Sequence, residues 1–269
     1  MDAIERIGLL DDEDIVLDEA ALALAALDQP DADPGTYQRR IASLAARLAG
    51  VAATADTPAE QARLLARLVA DEHGIAGDSD TYDDPANASL MRLLDRRKGL
   101  PVTLSILYVA LARRVGWQAE PLNVPGHVLV RIGREPLAVI IDPFNRGRIL
   151  DAEALDTLLG RILGRHASIE AGHLTALSNR AVLVRLLTNQ ATRARRAGNT
   201  ARALALHERM TSFAPTFTGL WWERARLEQL TGRATEARAS LLAMAETTHD
   251  PALTGRIRTA LAALARSIH

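Results

Sequence analysis

No cysteine occurs among the 269 residues. A disulfide scaffold, a thiolate metal site and an iron–sulfur cluster are therefore excluded, and so is catalysis through a thiol. Aromatic residues are scarce, at three each of Phe, Tyr and Trp, and lysine occurs once, as Lys98. The apolar runs are far shorter than the roughly 20 residues that cross a bilayer, so no membrane partner is expected. Met1-Asp2-Ala3-Ile4-Glu5 has no basic stretch leading into an apolar run. A secretory signal is not expected, and the cytoplasm is the expected location. No zinc finger, helix-turn-helix or ribonucleoprotein signature accompanies the basic residues, so nucleic acid is not an expected partner. His73, His166 and His173 have no carboxylates at metal-ligand spacing and read as surface or loop residues. Neither a metal nor another cofactor is expected.

Alanine, leucine and arginine fill the chain, which predicts a mostly helical protein. Hydrophobic content of 48% and charged content of 24% are ordinary for a soluble globular protein. The length suits one large domain, or a medium domain plus a small one. The net charge of −1 is unevenly spread: residues 1–90 carry −13, residues 91–180 carry +5 and residues 181–269 carry +7. Either the acidic front neutralises the basic rear within one molecule, or the rear presents a basic surface to an acidic partner.

Helices are expected from Asp11 to Asp28, from Tyr37 to Leu48, and after Thr57-Pro58. In the last of these, Thr57 and Glu60 form a capping box and Leu64, Leu65 and Leu68 a buried stripe. Residues 74–87 are rich in Gly, Asp, Ser and Pro and read as a loop. A short helix follows from Ala88 to Arg97, where Arg96, Arg97 and Lys98 suit a solvated helix end. Gly99 breaks it. Pro101 opens a helix that runs to about Val115 and stops at Gly116; it is apolar on nearly every side and so belongs at the centre of a domain.

Strands come next, weakly signalled over Gln118–Val124 and strongly over His127–Ile132 and Leu137–Asp142. Setting Ile132 opposite Leu137 pairs Val130 with Val139 and Val128 with Ile141, an entirely apolar face. The other face pairs Arg131 with Ala138, Leu129 with Ile140 and His127 with Asp142. The pattern thus places an imidazole beside a carboxylate. After Asp151, a candidate cap, a helix reaches about Leu163, residues 164–180 connect, and helices resume from about Asn179.

The last segment repeats. Gly198 and Gly232 are 34 residues apart, as are Ala203 and Ala237, while Pro215 and Pro251 close the two units. A 34-residue period with small residues at the helix crossing points to tetratricopeptide units; an ordinary antiparallel bundle is the alternative.

A His–Asp pair has catalytic meaning only opposite a nucleophile, whose natural seat is the N-terminus of the central helix. The sequence there reads Arg97-Lys98-Gly99-Leu100-Pro101-Val102-Thr103-Leu104. It is followed by Pro125-Gly126-His127 and then Ile141-Asp142-Pro143-Phe144-Asn145. Asp95–Gly147 resembles the transglutaminase core, whose architecture is shared with papain-like proteases. Most of the chain is similar to a bacterial branch of that superfamily with C-terminal tetratricopeptide repeats, named after an invasion-gene regulator of the Sir B type. The resemblance implies a cysteine at the start of the buried helix, about 15 residues before Gly116. Pro101 stands there. The nearby hydroxyls are Thr103, about 200° around the helix from position 101, and Ser105, on nearly the same face but about 6 Å further along the axis. Ser105 could serve as a nucleophile or simply bond back to a helix carbonyl. His127 and Asp142 could wall a binding groove or only fasten two strands. Asn123 and Asn145 could offer amides to a peptide backbone or cap loops.

The expected fold is α+β and mostly helical, with a transglutaminase-like (papain-like) core whose small antiparallel sheet packs on a central helix, followed by an all-α tetratricopeptide-like region. The expected divisions are residues 1–87 (N-terminal helical part), 88–178 (core) and 179–269 (repeats). The expected function is a non-catalytic scaffold or regulator with a protein or peptide partner. In that reading His127, Asp142 and Ser105 are catalytic remnants, and Pro101, Thr103, Asn123 and Asn145 line the groove. The alternative is a weak hydrolase or acyltransferase using His127 and Asp142 with Ser105, Thr103 or water. Nothing in the sequence specifies an oligomeric state.

Overall fold

The structure is a computed structural model that describes residues 3–163 and 174–267, so His166 and His173 lie outside the described residues. The chain divides into two compact units, one within Asp11–Leu183 and the other joining Met1–Leu10 to Val184–His269.

Helix α1 (Ala3–Leu9) belongs to the second unit. The first unit begins with a 3-10 turn at Asp12–Asp14, followed by α2 (Leu17–Ala26), α3 (Pro34–Ala52) and α4 (Pro58–Ala66), which continues as a π-helical turn to Glu72. The capping box expected at α4 is present: the Thr57 amide donates to Glu60 Oε2 at 2.9 Å and the Glu60 amide to Thr57 Oγ1 at 3.3 Å. Strand β1 (Ala76–Gly77), helix α5 (Leu90–Arg96) and strand β2 (Lys98–Gly99) lead into α6 (Pro101–Arg114).

Every residue of α6 from Pro101 to Ala112 is buried. Helices α2, α3 and α5 pack against it, as do strands β3 (Ala119–Val124) and β4 (His127–Ile132). An all-round apolar helix can be stable only when it is covered in this way. Truncating one of its leucines to alanine would cost about 2–5 kcal/mol, because the close-packed neighbours relax only partly. Buried Asp18 ties α2 to the last turn of α6, accepting from Arg114 Nε at 3.2 Å and Nη2 at 2.7 Å. Strands β5 (Val139–Asp142) and β6 (Arg148–Leu150) complete an antiparallel sheet in the order β3-β4-β5-β6, with α7 (Ala152–Leu163) following. Asp151 caps α7 as expected, accepting from the Ala154 amide at 2.8 Å.

The β4–β5 register differs from the one expected. Val130 pairs with Ile141, Arg131 with Ile140 and Ile132 with Val139, a slip of two residues. Leu137 is 72% exposed and lies in the connection, so β5 starts at Val139. A two-residue slip keeps every side chain on its face, so the apolar pattern is satisfied by either register.

In the second unit, α8 (Asn179–Arg196, from Val184 onward), α9 (Thr200–Phe213), α10 (Thr218–Leu230), α11 (Ala234–Glu246) and α12 (Pro251–Ser267) follow one another. Contacts join α9 to α10, α10 to α11 and α11 to α12, and α1 packs on α9. Gly198 and Gly232 take left-handed φ values of 72° and 75° at the turns before α9 and α11, a conformation that a side chain would strain. Glu228 is fully buried between partners: it accepts from Arg224 Nε at 2.9 Å and from Ser240 Oγ at 2.7 Å.

The first turn of α8 is capped from the far end of its unit. Asp12 accepts from the Asn179 and Arg180 amides, each at 2.8 Å. An N-terminal cap typically contributes about 0.5–2 kcal/mol. Asp12→Ala is therefore expected to lower unfolding free energy by about 1–2 kcal/mol, with Asp12→Asn keeping only part of the cap because its amide nitrogen would face one of the two backbone donors, as measured by urea titration of the full chain.

Candidate functional site

His127 opens β4 and Asp142 closes β5, so the antiparallel pairing brings them to one end of the sheet. In the observed register they are diagonal rather than direct neighbours, a separation that longer side chains bridge. His127 Nε2 lies 2.9 Å from Asp142 Oδ1. Both residues are buried, at 8% and 1% exposure.

A buried carboxylate is costly unless its lone pairs are used. Asp142 uses them fully. Oδ1 also accepts from the Phe144 amide at 3.0 Å and the Asn145 amide at 3.3 Å, and Oδ2 accepts from Asn145 Nδ2 at 2.6 Å. Burial pushes the Asp142 pKa up, but the hydrogen bond and charge of His127 and the bonds from Asn145 outweigh it, and the carboxyl is held below its ordinary value. An ionised carboxylate only accepts, so the imidazole carries a proton on Nε2. The Asn145 side-chain amide is thus turned inward onto Asp142. It acts as the loop cap of the two roles open to it in the sequence.

Aromatic edges extend the site. The Phe144 ring meets His127 edge-on at 5.9 Å between centroids, and Tyr82 meets Phe144 edge-on at 5.8 Å. Gly77 permits this packing: a Cβ there would lie 2.5 Å from the Phe144 ring, while the Gly77 amide donates to the Phe144 carbonyl at 3.0 Å. Gly77 pairs with Gly99 in the short parallel β1–β2 ladder, two residues before Pro101. This path joins the His–Asp end of the sheet to the start of α6.

The α6 N-terminus is held by a network in the stretch that reads as a plain loop. The carbonyl of buried Asn87 accepts from the Leu100 amide at 3.0 Å and from Thr103 Oγ1 at 2.9 Å. Asn87 Nδ2 donates to the Thr81 carbonyl at 2.7 Å and to Asp78 Oδ2 at 3.1 Å. Asp78 is fully buried and also accepts from Thr81 Oγ1 at 2.6 Å and the Thr81 amide at 3.0 Å. These bonds, led by the Thr81 hydroxyl, hold its carboxyl well below the ordinary range against the opposing effect of burial. Arg96 and Lys98 reach this loop, at 2.7 Å from Asp84 and 3.0 Å from Asp80, rather than serving only as a solvated helix end.

The expected site residues therefore fall into two sets. His127, Asp142 and Asn145 are bonded together. Pro101, Thr103 and Ser105 lie buried on α6, with Pro101 at its first position. Ser105 Oγ donates to the Val102 carbonyl at 2.9 Å, the back-bonded arrangement considered for it, and the Thr103 hydroxyl is committed to Asn87. Asn123 exchanges backbone hydrogen bonds with Leu174 and Thr175, at 2.9 and 2.8 Å. His73 is half-buried, with Nδ1 2.8 Å from the Leu68 carbonyl. Among the described residues there is no group of three or more potential metal ligands, and no helix is long and apolar enough to cross a membrane.

A buried helix opened at the expected nucleophile position and a following sheet that presents a His–Asp pair are the parts that the sequence resemblance implied. The family model of the transglutaminase-like superfamily matches residues 35–188, which contain all of them. The chain belongs to the transglutaminase-like superfamily. A UPF0162 protein of Xylella fastidiosa is 32% identical over 187 residues, which are 68% of this chain and 66% of that protein. The match thus spans just under two thirds of that relative. A UPF0162 protein of Pseudomonas aeruginosa is 28% identical over 197 residues, 73% of this chain and 72% of the relative. Human F-box only protein 21 is 31% identical over 99 residues, 34% of this chain and 16% of that protein. No solved structure matches.

The lowered Asp142 pKa has a stability consequence. A depressed folded-state pKa stabilises the fold above the unfolded value of about 3.9 and loses that contribution as pH falls through the folded value. The stability gap between wild type and Asp142→Asn is expected to narrow as pH falls below about 4. Urea titrations across that range measure it, and a gap that does not narrow would mean that Asp142 is not ionised in the pair.

Proposed function

We propose that this protein is a non-catalytic transglutaminase-like scaffold or regulator that holds an extended peptide, or a segment bearing Gln or Asn, in a groove walled by His127 and Asp142. One observation carries the reading: the His–Asp pair is intact and fully hydrogen-bonded, while proline stands at the first position of α6 and the chain has no thiol. Proline has no nucleophilic atom, and the hydroxyls of Ser105 and Thr103 already donate to backbone carbonyls. In this reading the fully bonded pair contributes to the groove as a rigid wall. The second unit supplies a further surface as two tetratricopeptide-type repeats. That part of the reading rests on the 34-residue spacing of Gly198 and Gly232, both left-handed, and on Ala203 and Ala237, both fully buried where helices cross.

Affinity purification of the full chain from its host, with mass spectrometry of whatever co-purifies, tests the groove. The expected result is a partner lost from the His127→Ala/Asp142→Ala variant and unchanged in mass. A partner deamidated, cleaved or cross-linked only by the wild type would instead make the protein a weak cysteine-independent hydrolase or acyltransferase, with His127 activating water as general base.

Because the chain lacks cysteine, Pro101→Cys creates a single reporting thiol. If position 101 faces His127, iodoacetamide alkylation at neutral pH should be about tenfold faster than in the same variant carrying His127→Ala, since a paired imidazole lowers a thiol pKa. Equal rates would separate position 101 from the His–Asp pair.

A further inference from the structure

A cleft of about 480 Å³ opens beside Asp142, between strand β6 and helix α7. Its polar groups are unequal in what they have left to offer. Asp142 accepts from four donors, Asn145 is spent on Asp142, and Asp151 caps α7. Two guanidiniums remain, Arg148 from the strand and Arg161 from the helix, and among the described residues neither side chain has a hydrogen-bond or ion-pair partner. Leu150 and Leu158 supply an apolar floor between them.

Chain direction places both arginines at the same end. Arg148 is the direct cross-strand partner of Asp142. Helix α7 starts after β6 ends, and its later part reaches the β3–β4 turn: a Cβ on Gly126, next to His127, would lie 3.7 Å from Ile162 Cγ2. Arg161 is the neighbour of Ile162 and so lies toward the His127–Asp142 end. The cleft's other carboxylates, Asp151 and Glu153, lie at the start of α7, at the other end. An anion entering the cleft is drawn toward the two arginines and repelled from Asp151 and Glu153 at the other end, while the charge of Asp142 is met by its own four donors.

We infer that this cleft is a subsite for a carboxylate of the bound segment, gripped by Arg148 and Arg161. Planar guanidiniums on two facing elements suit a carboxylate, which can take donors on both oxygens. The carboxylate could come from an Asp or Glu side chain or from a peptide C-terminus. The inference rests on the groove reading above, because the subsite lies beside the same pair.

The test is a fluorescent full-chain protein applied to a positional-scanning array of N-acetylated octapeptides, each made with an amidated and with a free C-terminus. Wild type is expected to prefer Asp or Glu over Asn or Gln at one position by about tenfold in amidated peptides, or free over amidated ends by as much if the terminus is the source. Arg148→Gln/Arg161→Gln should abolish that preference. Both side chains are exposed, so the melting temperature should stay unchanged. Binding without any preference for a carboxylate, or a preference that survives the double substitution, overturns the subsite. If His127→Ala leaves binding and acid preference intact, the subsite stands and the His–Asp groove falls. Binding to no peptide removes both.

Discussion

The first unit turns on one buried carboxylate. Asp142 closes a strand at 1% exposure and would be too costly to ionise there without its four donors. Those donors come from β4 and from the two residues that lead out of β5. Satisfying one charge therefore fixes the end of the β4–β5 pair and the path of the chain into β6. Phe144, placed by that path, then locks onto Gly77 and through it onto the strand preceding α6. If the carboxylate were lost, His127 would lose its partner and Asn145 its anchor. A buried pair broken on one side costs more than the pair contributes, because the survivor stays desolvated.

A second polar knot performs the same service for α6. The Asn87 carbonyl accepts from two groups of the first α6 turn and its loop, and Asp78 holds Asn87 in place. The first turn of a helix leaves amides without helical partners. Here loop residues take part in settling that turn, which keeps the position held by Pro101 fixed without a nucleophile to justify it chemically. Both knots are complete in a chain without a thiol, and each contributes to the fold.

Most of the first unit was legible in the sequence because its signals were periodic or positional. The all-apolar run after Pro101 demanded a central helix, the Thr57–Glu60 box marked α4, and alternation revealed β4 and β5. The His–Asp neighbourhood was legible for the same reason, although its register was not. Leu137 looked like a strand residue yet sits exposed in the connection. Nothing in an alternating pattern registers a slip of two. The Asp78–Thr81–Asn87 network had no periodic signal, since side-chain-to-backbone bonds in a loop follow no repeat. For Asn145 the sequence leaves a groove amide and a loop cap equally open, and its three-residue spacing from Asp142 is the signal that matches the bonds it makes. Helix α1 is seven residues long and too short for the pattern to register.

Helix α1 also ties the beginning of the chain to its later part. It packs on α9, and its Ile4 and Ile7 are buried, although residues 200–213 are made only after the whole first unit. Those isoleucines cannot meet α9 until Asp11–Leu183 has been made, and closing so long a loop has an entropic cost. Helix α9 cannot reach its final packing in a fragment that lacks α1, because one of its surfaces is completed by a helix that precedes the whole first unit. The helical unit is continuous in space and discontinuous in time.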